Sequence, residues 1–573
     1  MKPIFYSKFL NVILVSGSFI LPQLTNAQQG NPTRIERAQM HHEVLDDKYI
    51  PNVFANTEKS PAYRFESSLF FTAQVNVNAN GENILWDAAN EPSIAIDPTN
   101  PNRMAIGWRQ FDNVTSNFRQ AGYGYTLDGG ETWTFPGVIN PGIFRSDPVL
   151  DADAEGNLYY NSLTSDANNN MTCKVYKIND GSWDEGTEAK GGDKQWMRID
   201  KTTGSGSGNN YSFWTSYWSS CYPGAFTRST DFGNSYEDCS IVSGDPSWGT
   251  LAIGLNSELF IVGAGNADPI IVTKSITAQD PDQTVTWSST TAVDLDGYLD
   301  SQVDVNPAGL LGQAWIDVDV SDGPGRGNVY VVASVRRASI NDPGDVMFNK
   351  SVDGGLTWGN PRRLNNDFGN SNYQWFGTMS VAPGGRIDVV WLDTRDANGN
   401  PPYSSALYYS YSVDQGETWT ENEKLSENFD PHIGWPQQQK MGDYFDMKSD
   451  DNSAHLAWAN TLNGEEDVYY ARITPQVVGI DKSPENQFRL SFNCYPNPFK
   501  GNTSIRYKLP KDNFVTLGIY DMYGQEVRNL VKKEEQAGLH NFTFNADELT
   551  EGIYYCRLTA GSNTQTIRMI LIK

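Results

Sequence analysis

One octapeptide recurs along this chain and limits what it can fold into. It reads Ser351-Val352-Asp353-Gly354-Gly355-Leu356-Thr357-Trp358, returning as Ser412-Val413-Asp414-Gln415-Gly416-Glu417-Thr418-Trp419 and Thr126-Leu127-Asp128-Gly129-Gly130-Glu131-Thr132-Trp133. Ser229-Thr230-Asp231-Phe232-Gly233-Asn234-Ser235-Tyr236 is a degraded fourth copy. The chemistry is that of a tight turn between two strands. Asp and hydroxyl side chains can bond nearby backbone N–H groups, and glycine supplies a positive φ. The closing Trp or Tyr gives the hairpin an apolar side chain to bury.

A second repeat runs independently of the first. Each copy is a short strand, a polar turn and a more apolar strand, as in Ser93–Asp97 with Met104–Trp108 and Met379–Val381 with Ile387–Trp391. Intermediate copies begin at Val149, Met197, Leu251 and Ala314, and the last pairs Phe445–Met447 with His455–Trp458. That makes seven units of about 50 to 65 residues, enough for a four-stranded blade each. The octapeptides follow the second strand of their units, where a turn between strands three and four belongs. The seventh unit ends one strand short, at Val468–Ile473. The alternating stretch Leu69–Val77 is expected to complete it and remove the open edge.

The octapeptides resemble the Asp-box, or bacterial neuraminidase repeat, of sialidase-like β-propellers, over the middle of the chain. The fold expected is therefore all-β: a seven-bladed propeller, with six blades, the number typical of sialidases, as the alternative, followed by a small C-terminal β-sandwich. The resemblance is specific for fold and not for chemistry, because the box staples strands together.

The flanks read differently. Residues 1–27 have a basic start at Lys2 and Lys8, an apolar run from Phe9 to Leu21 and a small residue, Ala27, suited to cleavage, which together read as a secretory signal. Residues 28–60 are a polar leader, 61–474 the propeller and 475–487 a linker. No later stretch is apolar enough to cross a membrane. The net charge of −26 argues against nucleic acid and anionic membrane surfaces. With five His and no HExxH or CxxC motif, no metal or other cofactor is expected. Export permits disulfides: Cys221 with Cys239 and Cys494 with Cys556 are candidate pairs, Cys173 is the odd one, and buried thiols are an equal reading.

Residues 488–573 read as about seven short strands. Their landmarks are Cys494-Tyr495-Pro496-Asn497-Pro498-Phe499, Gly518-Ile519-Tyr520-Asp521 and Gly552-Ile553-Tyr554-Tyr555. Their order and spacing resemble the type A C-terminal sorting domain of the type IX secretion system in Bacteroidetes. The resemblance implies an address read by that machinery and removed during delivery, hence a secreted or cell-surface protein.

Propeller ligands usually bind where strand four of one blade leads into strand one of the next. Here those lead-ins are Asn90-Glu91-Pro92, Arg145-Ser146-Asp147, Asp193-Lys194-Gln195-Trp196, Asp245-Pro246-Ser247-Trp248, Asp300-Ser301-Gln302, Tyr373-Gln374-Trp375 and Lys440-Met441-Gly442-Asp443-Tyr444. Six of the seven carry a carboxylate. As an active site, Asp147 and Asp193 would supply acid and base or nucleophile, and Arg109, Arg336 and Arg395 would clamp an anionic group. Trp196, Trp248, Trp375, Arg145, Asp443 and Tyr444 would bind sugar rings and hydroxyls. The competing reading is that each acid caps backbone amides at its strand start. The sialidase Phe-Arg-Ile-Pro motif has only an approximate counterpart, Phe144-Arg145-Ser146-Asp147-Pro148, which follows the first octapeptide where the family has it before. The sequence therefore supports a propeller that engages glycans or another extracellular polymer, with glycoside hydrolysis one version and noncatalytic adhesion or scaffolding the other.

Overall fold

In the computed structural model, residues 47–51, 60–475 and 491–572 are described, except 167, 169, 180–181, 267–268, 398, 400, 496, 510–511, 523 and 562. The expected signal segment 1–27 and most of the leader and linker lie outside them. The chain divides into two compact units, residues 1–475 and 476–573. Every regular element of the described residues is a β-strand.

In the first unit, seven antiparallel sheets of three to five strands follow one another along the chain. Their first strands begin at Ala88, Ser146, Trp196, Leu251, Trp315, Gln374 and Asp446. The seventh sheet is completed by Phe70–Gln74 from the start of the unit, which pairs with Asp467–Ile473 in the register Phe70 to Ile473. Thr72 Oγ1 donates to the Tyr470 carbonyl at 2.8 Å, and Asn76 Oδ1 accepts from the Val468 amide at 3.1 Å. The last sheet thus gains a partner strand, as its short end required.

In six of the seven steps, a side chain ties the first, inner strand of one sheet to that of the next. Ser93 Oγ accepts from the Leu150 amide at 2.9 Å, Asp151 from Ile199 at 2.9 Å and Thr250 from Ile316 at 3.1 Å. Asp317 accepts from Val381 at 2.8 Å, Ser380 from Ser449 at 2.9 Å and Asp446 from Ile94 at 3.2 Å. The last of these returns the series from the seventh sheet to the first. The middle of the arrangement is packed: Trp196 of the third sheet meets Trp315 of the fifth and Tyr444 of the seventh edge-on, both with centroids 5.1 Å away.

The octapeptides close the third strands of sheets one, three, five and six, as their spacing predicts. In the fifth sheet, Ser351 Oγ donates to Asp353 at 2.7 Å and accepts from the Gly355 amide at 2.8 Å, while Asp353 receives the Thr357 amide at 2.9 Å and its hydroxyl at 2.5 Å. The other three copies repeat this pattern. Each octapeptide also leans on the preceding sheet. A Cβ on Gly130 would lie 2.2 Å from the Tyr470 ring, and one on Gly416 2.5 Å from Phe348. Gly233 and Gly355 approach Tyr159 and Phe260 at 3.2 and 3.3 Å in the same way. Glycine is needed there both for its positive φ and for this close approach.

Cys221 and Cys239 form a disulfide. Cys494 and Cys556 are both free, so that candidate pair does not form, and Cys173 is a buried thiol. Asp153–Asn157 form a polar turn between the first two strands of the second sheet. Asp153 accepts from the Asn157 amide at 2.8 Å and from the Tyr159 hydroxyl at 3.0 Å.

The second unit holds a three-stranded and a four-stranded antiparallel sheet. Ile505 and Tyr507 of the first share one apolar cluster with Leu517, Ile519 and Leu558 of the second.

Candidate functional site

The lead-ins to the first strands share a backbone device. Glu91, Asp147, Lys194, Trp248 and Phe376 all have φ between 43° and 57°, and Gly442 has φ 87°. Bulges interrupt the strand register beside Glu91, Asp147 and Phe376. A bulge with one left-handed residue re-aims its side chain, and here it turns charged groups from several sheets onto one another.

The result is a buried ionic network. Lys194 Nζ lies 2.9 Å from Asp443, 3.1 Å from Asp193 and 3.7 Å from Asp147. Lys440 Nζ lies 2.6 Å from Asp443 and 3.3 Å from Glu91, and Arg109 Nε is 3.2 Å from the other Glu91 oxygen. Arg109 also donates to Asn90 at 2.8 Å. All of these side chains are buried. Burial pushes the Glu91 carboxyl up to about 8, against the pull of Arg109 and Lys440. Tyr444 donates to the Pro148 carbonyl at 2.9 Å, and burial holds its phenol well above the usual range. Gly442 is obligatory in this network, since a Cβ there would sit 2.5 Å from Glu91 Cγ.

A hairpin lies against the seventh-sheet part of this network. Ser301–Val303 pairs with Asn306–Leu310, and Asn306 donates to the Gly442 carbonyl at 2.9 Å and accepts from the Met441 amide at 3.0 Å. The Leu310 amide donates to Asp443 at 2.9 Å. Asp300-Ser301-Gln302 therefore belongs to this insertion and is not the lead-in of the fifth sheet, which is Gly312-Gln313-Ala314. That corrects the count of lead-in carboxylates.

The three candidate arginines occupy three separate environments. Arg109 sits in the buried network. Arg336 Nε pairs with Asp300 at 2.6 Å, and Arg395 pairs with Asp393 at 2.7 Å while stacking over Tyr408. Arg145 is buried over the Tyr176 ring and donates to Asn140 at 3.3 Å. Trp196, Trp248 and Trp375 are fully buried, with the Trp375 indole donating to Ser405 at 3.1 Å. Their faces are covered by protein.

The loops of the same face carry a second set of aromatics. Tyr373, Tyr403, His432 and Trp435 form a row with successive centroid distances of 5.9, 5.5 and 4.8 Å. Tyr373 is buried and the other three are partly buried. Tyr403 donates to Asp304 at 3.3 Å, and a ring nitrogen of His432 meets the Val305 carbonyl at 3.1 Å. Burial and then the Asp304 charge push the Tyr373 phenol up to about 12. Phe368, in the loop leading to Tyr373, is 98% exposed. Tyr217, Trp218 and Tyr222 cluster in the loop between the second and third strands of the third sheet. All these loops leave the sheets at the lead-in end, opposite the octapeptides. Among the described residues, no group of three or more His, Cys, Asp or Glu is arranged to hold a metal ion.

Comparison with known proteins identifies the C-terminal region. Residues 493–573 match the family described as the secretion system C-terminal sorting domain. That domain marks the chain for type IX secretion to the cell surface, and among the described residues no helix is long and apolar enough to cross a membrane. No curated protein matches the chain in sequence. Among solved structures, a Dyadobacter fermentans protein of unknown function is 14% identical, with 70% of this chain and 97% of that one covered and a TM-score of 0.40. A polysaccharide lyase described as a PL25 ulvan lyase is 10% identical over 68% of this chain and 94% of its own, with a TM-score of 0.42. The Hadza microbial sialidase Hz136 is 12% identical over 68% and 66%, with a TM-score of 0.32. The lyase and the sialidase differ in chemistry, so these likenesses select no reaction.

Proposed function

We propose that the chain is a cell-surface seven-bladed propeller of the Asp-box type, carried there by a C-terminal β-sandwich, and that its lead-in face binds extracellular glycan. The observation that carries this reading is the row Tyr373, Tyr403, His432 and Trp435, joined on the same face by the projecting ring of Phe368. Partly buried aromatic rings in loops keep an open portion for sugar C–H groups, while Asp304 and Asp300 beside them accept hydroxyl hydrogen bonds.

The same geometry favours binding over hydrolysis. A retaining or inverting pair needs two carboxyls open to substrate and water, whereas Asp147 and Asp193 are buried around Lys194. Their role is to neutralise that cation and hold the lead-ins together. The test is retention of the secreted protein on a panel of immobilised polysaccharides, with product release measured in parallel. Retention without new reducing ends is expected. Release of products by the wild type, abolished in Asp147→Asn or Asp193→Asn, would restore the glycosidase reading. Neither retention nor release would leave a scaffold.

A further inference from the structure

We infer, resting on that reading, that the ligand of this face is an uncharged polysaccharide rather than a sialylated, uronate-containing or sulfated one. Recognition of an anionic sugar needs a cation free to receive it, usually an arginine fork. Around the aromatic row, the cations described in the lead-in loops of sheets five to seven are each paired with one or two of the protein's own acids. Arg336 pairs with Asp300, and Arg337 with Asp296 and Asp345. Arg363 pairs with Asp345 and Asp367 at 2.7 Å each, Arg395 with Asp393, and Lys440 with Asp443 and Glu91. Asp345 alone thus serves two arginines.

The acids of these loops go further than the cations. Asp304 has the Tyr403 hydroxyl as its partner, and Asp430 has the His432 amide at 2.9 Å. A carboxylate or sulfate laid along Tyr403 and Trp435 would therefore face uncompensated negative charge on a chain of net charge −26. A neutral pyranose would stack its C–H face and give its hydroxyls to Asp304. Cations that do converge elsewhere, Arg198, Lys201 and Lys448, lie at the opposite ends of the inner strands and are held by Asp446 and Asp151.

The experiment titrates the full secreted chain with neutral glucans, mannans and xylans, and with hyaluronan, a polysialic acid and a sulfated galactan, at low and high salt. Affinity for at least one neutral polymer is expected, unchanged from about 0.05 to about 0.5 M NaCl because no ion pair forms. Tyr403→Ala and Trp435→Ala should each weaken it about tenfold or more, with the thermal unfolding midpoint recording that both variants fold. Binding confined to the polyanions and lost with salt would overturn the inference while leaving the glycan reading standing. Binding to none of the polymers would overturn both. Anion binding that survives Tyr403→Ala and falls in Lys201→Ala would place the ligand at the other end of the inner strands and equally contradict the inference.

Discussion

Lys194 of the third sheet and Asp443 of the seventh meet at 2.9 Å, both buried. This contact joins sheets far apart in sequence, and Asp193, Asp147, Lys440 and Glu91 surround it. Removing one member of a buried ionic network leaves the others charged and unsolvated, at a cost of about 3 to 5 kcal/mol. Lys194→Met is therefore expected to lower stability by about that much, read from chemical denaturation. A change under about 1 kcal/mol would mean that water already solvates these groups.

The raised carboxyls give the molecule a pH profile with a defined sign. Burial pushes Glu91 up to about 8 and Asp467 up to about 7, so the folded chain holds protons that the unfolded chain releases near pH 4. Their contribution is complete below that range and is lost as the pH rises through 7 to 8. Asp353, bonded by the Thr357 hydroxyl and amide, and Asp450, whose burial is outweighed by its bond to His455, are both held down at about 2. Those two stabilise above pH 4, and their share disappears as the pH falls toward 2. Thermal midpoints are expected to peak near pH 5 and to decline toward pH 8.5, with Glu91→Gln and Asp467→Asn flattening the alkaline limb. A midpoint that climbs from pH 5 to pH 8.5 would contradict these assignments.

The octapeptide of the sixth sheet bears on its neighbour through a missing side chain. Gly416 has φ 77°, and a Cβ there would fall 2.5 Å from the Phe348 ring, which Trp419 also meets edge-on at 5.1 Å. Gly416→Val should destabilise by about 2 to 3 kcal/mol through strain and overpacking. Gly399, with φ 75° and nothing near its Cβ, is the control that isolates the conformational part.

Cys221 and Cys239 close an 18-residue separation around the loop that carries Tyr222 and the strand that follows it. Opening it as Cys221→Ser with Cys239→Ser is expected to cost about 3 kcal/mol. The reducing agent dithiothreitol should lower the midpoint of the wild type and not of the double variant.

Much of this fold was legible because its signals are local. The Asp128, Asp231, Asp353 and Asp414 turns satisfy their own backbone within a few residues, so their chemistry shows in the octapeptide itself. The strand Phe70–Gln74 was legible because the seventh unit lacked a partner. The lead-in acids were visible as a recurrence, but their burial was not, since it depends on left-handed residues and on a hairpin from another sheet. That hairpin also misplaced Asp300: its Ser301–Leu310 strands alternate much as a lead-in would. Tyr403, His432 and Trp435 sit in loops without periodicity. Their only signal was the proline punctuation of Pro401-Pro402-Tyr403 and Pro431-His432-Ile433-Gly434-Trp435-Pro436.

The account is tested most directly by polysaccharide affinity in two matched double variants, measured by titration calorimetry on folded protein. Tyr403→Ala with Trp435→Ala removes partly buried rings from the lead-in face, and Val352→Ser with Val413→Ser removes exposed apolar side chains from the octapeptide face. The first is expected to lose binding by about a hundredfold and the second to match the wild type. Equal affinity in the first variant, or loss confined to the second, would put the ligand on the wrong side of the molecule and contradict the central claim.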